Sequence, residues 1–165
     1  MAIVYLGIGS NLGDRSANIE KAMTLLKEHK EIKVLTVSNF IETDPVGGKE
    51  QGKFLNGAVK IDTELMPPDL LSQLKIIERR LGRAKTDETN APRPMDLDIL
   101  FYDDVVITNG KSLTVPHPRL AERKFVLKPL LEIAPDLVHP KLNKTIKELY
   151  EALDPHESHP RFQSA

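Results

Sequence analysis

The chain contains no cysteine. Disulfides, thiolate catalysis and Cys-ligated zinc or iron–sulfur centres are thereby excluded. It also lacks a dominant charge: the formal net charge is -1 over 165 residues, so no global field draws it to nucleic acid or an acidic membrane. No apolar run approaches the length of a membrane span. The opening MAIVYLGIGSN has no basic n-region, and its apolar run is too short for a signal peptide, which leads to the expectation of a cytoplasmic protein. Repeats, low-complexity tracts and interdomain linkers are absent from the sequence. Two nucleotide signatures are missing as well. Gly7, Gly9 and Gly13 form G-x-G-x-x-x-G, one residue too long for the dinucleotide fingerprint, and there is no G-K-[ST] of a P-loop.

What is present is ordinary in bulk and specific in detail. Hydrophobic residues make up 40% and charged residues 28%, as in soluble globular proteins, and 165 residues suffice to bury a core. One domain is expected over 1–153, with 154–165 (DPHESHPRFQSA) as a frayed tail.

Ala2–Ile8 is apolar and β-branched and reads as a strand that breaks at Gly9. Ile19, Ala22, Met23 and Leu26 recur at helical spacing after Asp14 or Ser16 as a cap. Ile32–Thr43 reads as one strand, and Asp44–Lys53 as a loop rich in Gly and charge. Phe54–Thr63 alternates, with Leu55, Val59 and Ile61 on one face and Phe54, Asn56, Ala58 and Lys60 on the other. Pro67 and Pro68 open a helix that ends at Gly82, and Gly82–Pro94 is a second polar loop.

Met95–Tyr102 is the next strand; Val105–Ile107 and Leu113–Val115 pair as a small hairpin. Phe125–Ala134, with Pro129 near its start, and Asn143–Leu153 are helical. The first six elements match the split βαβ pattern. The expected fold is thus α+β, with a ferredoxin-like βαββαβ core, an antiparallel sheet, a small hairpin and C-terminal helices. Helices are expected on one sheet face, leaving the other open.

Ala91–Leu100 reads APRPMDLDIL. Residues two apart on a strand point the same way, so Asp96 and Asp98 project together while Met95, Leu97 and Ile99 face the core. Two neighbouring carboxylates repel unless a cation intervenes. Magnesium suits them, because it takes one or two carboxylates together with substrate phosphates, and manganese is chemically similar. A solvated strand face is the plain alternative for a bare D-x-D. The context favours a metal–phosphate site: Arg93 stands between two prolines, and Lys75, Arg79, Arg80, Arg83 and Lys85 cluster just upstream.

Glu78 borders the apolar stripe of its helix and needs a partner, either a basic neighbour or a ligand. Phe54 beside Asn56 suits a flat heterocycle, by stacking and paired hydrogen bonds, or else packs Phe54 beneath the loop before it. His117, stiffened between two prolines with Arg119 and Arg123 nearby, either meets phosphate or is a surface or hydrogen-bonded residue, which is the one reading for the other four histidines.

These segments, from Ile3 to about Pro140, together resemble the 6-hydroxymethyl-7,8-dihydropterin pyrophosphokinase family. The resemblance rests on IGSNLGDR, Thr43–Pro45, Phe54–Asn56, Glu78–Arg83, PRPMDLDIL, LTVPHPR and KPLLEIAP. It implies diphosphate transfer from ATP to the hydroxymethyl group of a reduced pterin, with two Mg²⁺ ions on Asp96 and Asp98. It implies catalytic roles for Arg83 and Arg93 and an ATP site at Lys75, Glu78, Lys85, Ile99, Thr114, His117 and Arg123. The pterin would lie at Gly9, Thr43, Pro45, Val46, Phe54, Asn56 and Phe125. Neither nucleic acid, membrane nor an obligate protein partner is implied. The chain departs from family members that carry a basic residue and an aromatic at Thr89 and Asn90, or arginine at Lys85, which cannot copy a bidentate guanidinium. A D-x-D nucleotide-sugar transferase and a non-catalytic ferredoxin-like binding module are the competing classes.

Overall fold

The computed structural model describes residues 1–43, 53–82, 95–108 and 113–153. A single antiparallel sheet organises them. Its strands are β1 (Ala2–Ser10), β2 (Ile32–Val37), β3 (Ile41–Thr43), β4 (Phe54–Thr63) and β5 (Asp96–Tyr102). β1 lies between β4 and β5, and β2 and β3 follow one another along the outer side of β4. With β2 and β3 counted as one broken strand, this is the expected ferredoxin-like order.

Helices α1 (Arg15–Glu28) and α2 (Pro67–Arg80) cover the first sheet face. Asp14 caps α1 by accepting the Ala17 N–H, and Ile19, Ala22, Met23 and Leu26 are its buried stripe. In α2, Pro67 stands at the first turn and Gly82, with φ +89°, lies just past the end, where a left-handed residue is needed. Val4, Leu6 and Ile8 of β1, Leu55, Val59 and Ile61 of β4, and Leu97 and Ile99 of β5 meet both helices in the main core.

Three expectations need correction. First, the second face is not left open along its length. Helices α3 (Lys124–Ile133) and α4 (Ile146–Leu153) cover part of it, building a second core from Tyr5, Ala58, Leu100, Phe101, Leu127, Leu130, Ile146 and Leu149. The apolar residues on that face require a cover. Pro129 sits in the interior of α3, where its missing N–H leaves the Phe125 carbonyl without an intrahelical donor.

Second, the strand expected over Ile32–Thr43 is broken at Ser38–Phe40. Ser38 keeps its backbone bond to the Ala58 carbonyl, but the Ala58 N–H donates to Ser38 Oγ at 2.8 Å. Asn39 turns outward, donating its N–H and its amide to the Glu132 carboxylate, each at 2.7 Å. The Phe40 ring then occupies the space over Gly57, where a Cβ would approach the ring to 2.5 Å. Third, the hairpin reduces to one antiparallel bridge, Ile107 to Val115, among the described residues; 109–112 lie outside them.

Candidate active site

Beside the second core, the same face of β1 is floored by glycine, with Gly9 buried and Gly7 half-buried. Gly9 pairs with Asn56 on one side and Asp96 on the other; one step along, Gly7 pairs with Ala58 and Asp98. Facing pairs in an antiparallel sheet share a side. The aspartates therefore stand in a row beside a strip of bare backbone, with Asn56 across it. The strip must stay bare: a Cβ on Gly9 would come within 2.6 Å of Asn56 Oδ1. A Cβ on Gly7 would touch the Leu100 side chain at 3.4 Å.

Past Asn56 the floor continues to Phe54, paired with Thr43 of β3. Asn56 donates from Nδ2 to Thr43 Oγ1 at 2.7 Å, which fixes the amide and leaves Oδ1 directed at the glycine strip. Phe54, Asn56 and Thr43 are all half-buried, so an aromatic ring and an oriented amide line one open surface.

Around Asp96 the wall comes from the segment after the bridge. His117 donates its N–H to the Leu100 carbonyl at 3.0 Å, docking this segment on β5. Its Nδ1 accepts the Arg119 N–H at 3.2 Å. Burial, and then the positive field of Arg123, hold the His117 imidazole below its ordinary pKa, while Asp96 pulls the other way. At neutral pH the ring is uncharged, with the proton on Nε2 available to an acceptor. The Arg123 guanidinium lies 5.6 Å from the centroid of the Phe125 ring, within cation–π range. A guanidinium cation and an aromatic ring are thus adjacent at the start of α3.

Glu78 is deeply buried, 4% exposed, and its carboxylate accepts the Leu97 N–H at 2.7 Å. β5 is an edge strand, and Leu97 stands between the two aspartates, so α2 caps the outer edge of the strand at that point. The side chain of Ile99 belongs to the main core, which leaves only its backbone to face a ligand. Lys75 is exposed on α2 and Thr114 is half-buried next to the bridge. Arg83, Lys85, Arg93, Pro45 and Val46 lie outside the described residues.

Arg15 was quoted in a motif but given no role by sequence reasoning. It donates to Glu42 Oε1 at 2.9 Å and to the Lys53 carbonyl at 2.8 Å. No periodicity signals this, because its partners are 27 and 38 residues away. A groove of about 650 Å³ also runs between α1 and the β2–β3 break, lined in part by Ile19, Met23, Phe40 and Leu55, but on the first face, away from the aspartates.

The donor chemistry suits a hard divalent cation. No cluster of three or more His, Cys, Asp or Glu side chains occurs among the described residues, as a closed structural site would need. Two half-buried carboxylate side chains on one strand face fit magnesium, which completes its shell with phosphate oxygens and water. No helix among the described residues is long and apolar enough to cross a membrane.

Residues 5–135 match the family model described as 7,8-dihydro-6-hydroxymethylpterin-pyrophosphokinase (HPPK). The chain is 45% identical over 148 residues to the 2-amino-4-hydroxy-6-hydroxymethyldihydropteridine pyrophosphokinase of Aquifex aeolicus, covering 90% of each. It is 44% identical to the folic acid synthesis protein fol1 of Schizosaccharomyces pombe, over 92% of this chain but 20% of that one. The chain thus spans about a fifth of the length of that fungal relative. In fold it is similar to the Plasmodium falciparum HPPK-DHPS solved with pterin and p-hydroxybenzoate: TM-score 0.75 at 18% identity, over 98% of this chain and 45% of that one.

Proposed function

The chain belongs to the 7,8-dihydro-6-hydroxymethylpterin-pyrophosphokinase family, and from that premise we propose that it transfers diphosphate from ATP to the hydroxyl of 6-hydroxymethyl-7,8-dihydropterin, releasing AMP. The reaction is a step of folate biosynthesis, in the cytoplasm. The observation that carries the reading is the glycine strip, with Asp96 and Asp98 on one side and Asn56, Thr43 and Phe54 on the other.

In this reading the pterin lies flat between Phe54 and Phe125, and its polar edge meets Asn56 and Thr43; Pro45 and Val46 are assigned to it from the family resemblance alone. Gly9 lets the ring approach the backbone. The nucleotide lies toward α2 and β5, near Lys75, Glu78, Lys85, Ile99 and Thr114. His117 and Arg123 would attend its phosphates, and Arg83 and Arg93 are assigned to the transferring group from the family resemblance alone. Asp96 and Asp98 would hold two Mg²⁺ ions. When bound, such ions would supply positive charge that offsets the charge developing on the phosphates. The remaining work of the protein is positioning: the pterin hydroxyl is held in line with the β-phosphorus, and the cations of the site stabilise the transition state.

The test is incubation with ATP, Mg²⁺ and the reduced pterin, with AMP and pterin diphosphate separated by chromatography. The reading expects pterin-dependent AMP release that chelation abolishes. Transfer from a nucleoside diphosphate sugar without need of a pterin, or no ATP consumption with any acceptor, overturns it.

A further inference from the structure

Glu42 and Lys53 flank Thr43 and Phe54, the cross-strand pair at the proposed heterocycle end of the site. Arg15 binds both flanks at once. Its guanidinium forms an ion pair with Glu42 at 2.9 Å and donates to the Lys53 carbonyl at 2.8 Å. Glu42 pairs with Leu55, a main-core residue, so the Glu42 side chain lies on the helix-covered face. Arg15, the first residue of α1, therefore reaches these stems from behind the sheet, opposite the surface that carries Phe54, Asn56 and Thr43.

We infer that Arg15 is a positioning residue for the heterocycle pocket: by clamping Glu42 to Lys53 it sets the spacing of Thr43 and Phe54, and through Thr43 the aim of the Asn56 amide. The inference rests on the functional reading above. β3 has only three residues, at the short end of strand lengths, so its ladder supplies few bonds to fix this segment. The guanidinium supplies what the ladder lacks, because its planar fork donates in two fixed directions. Asn56 Nδ2 is committed to Thr43 Oγ1, so a shift of Thr43 turns the amide. The metal–phosphate end hangs on β1 and β5 instead.

The experiment is steady-state kinetics with each substrate varied in turn, for the unsubstituted chain, Arg15→Ala, Arg15→Lys and Glu42→Gln. Thermal midpoints are measured alongside. Arg15→Ala is expected to raise KM for the pterin about tenfold while KM for ATP stays within about twofold, the scale of one lost charge-assisted contact. Arg15→Lys keeps the charge but loses the fork and is expected to fall between; Glu42→Gln keeps an acceptor and is expected to change least. The inference is overturned alone if the unsubstituted chain turns over the pterin and Arg15→Ala raises both KM values alike, or lowers the thermal midpoint and moves neither. Absence of pterin turnover in the unsubstituted chain overturns the functional reading, and the inference with it.

Discussion

Asp98 and Asp96 carry the account at the scale of single residues. Asp98→Ala is expected to cut turnover by at least about a hundredfold, the typical cost of losing one group that stabilises transition-state charge. Circular dichroism should be unchanged, since the side chain lies outside both cores. Gly9→Ala tests the opposite edge of the strip. Its new methyl meets Asn56 Oδ1 and must turn the amide, so pterin KM should rise on the order of tenfold. An unchanged pterin KM would refute the role of the bare backbone. Period-two alternation suffices to place both aspartates together on one face of β5, and Asn56 with Phe54 together on one face of β4, so these were legible in the sequence. The glycine strip and the Arg15 clamp were not, because strand pairing and contacts across 27 and 38 residues create them.

Among the elements, β5 is the most exposed to perturbation. Its outer edge depends on Glu78, and Leu97 lies between the aspartates. Glu78→Ala leaves a buried N–H unpaired and is expected to cost about 1–3 kcal/mol in urea unfolding. Turnover should fall with it, as the strand that carries the aspartates loosens; a loss of stability with full turnover would separate the two. The start of α4 offers a control far from the chemistry. Thr145 and Glu148 exchange backbone bonds in a capping box, with Glu148 N–H to Thr145 Oγ1 at 3.1 Å and Thr145 N–H to Glu148 Oε1 at 3.0 Å. Thr145→Ala should cost about 1 kcal/mol and leave both KM values alone. Helices α1 and α2 were legible down to their caps because apolar spacing, Asp14, Pro67 and Gly82 agree. The β2–β3 break was less so: Ser38 and Asn39 interrupt the run of strand-forming residues, but two polar residues do not by themselves end a strand, and it is Glu132, on a distant helix, that shows where Asn39 turns out.

The whole molecule is a sheet between two cores, and its pH response follows from the second. His139 is 5% exposed, stacks edge-on against Phe101, and accepts the Lys141 and Leu142 N–H groups at Nδ1. Burial, and then Lys141, lower its pKa. A group whose folded pKa lies below its unfolded value binds more protons unfolded. Its stabilisation is therefore complete above the ordinary histidine value of about 6.5 and is lost as pH falls below that. His117 acts in the same direction. Urea midpoints should decline from pH 7 toward pH 5, and His139→Ala should flatten part of that slope; a slope that is unchanged would contradict the assignment. The sheet order was legible from the order of elements. The second core was harder to foresee, because the sequence pattern of α3 and α4 says that they bury a face but not which surface receives it.

The claim that joins these scales is that one open sheet end holds a metal–triphosphate against a pterin hydroxyl, with attack at the β-phosphorus. ATP labelled at the β-phosphorus tests it most directly. With Mg²⁺ and the reduced pterin present, the label is expected to leave with the pterin, and the AMP to be unlabelled. Label retained in ADP, or AMP formed without any labelled pterin, would contradict it.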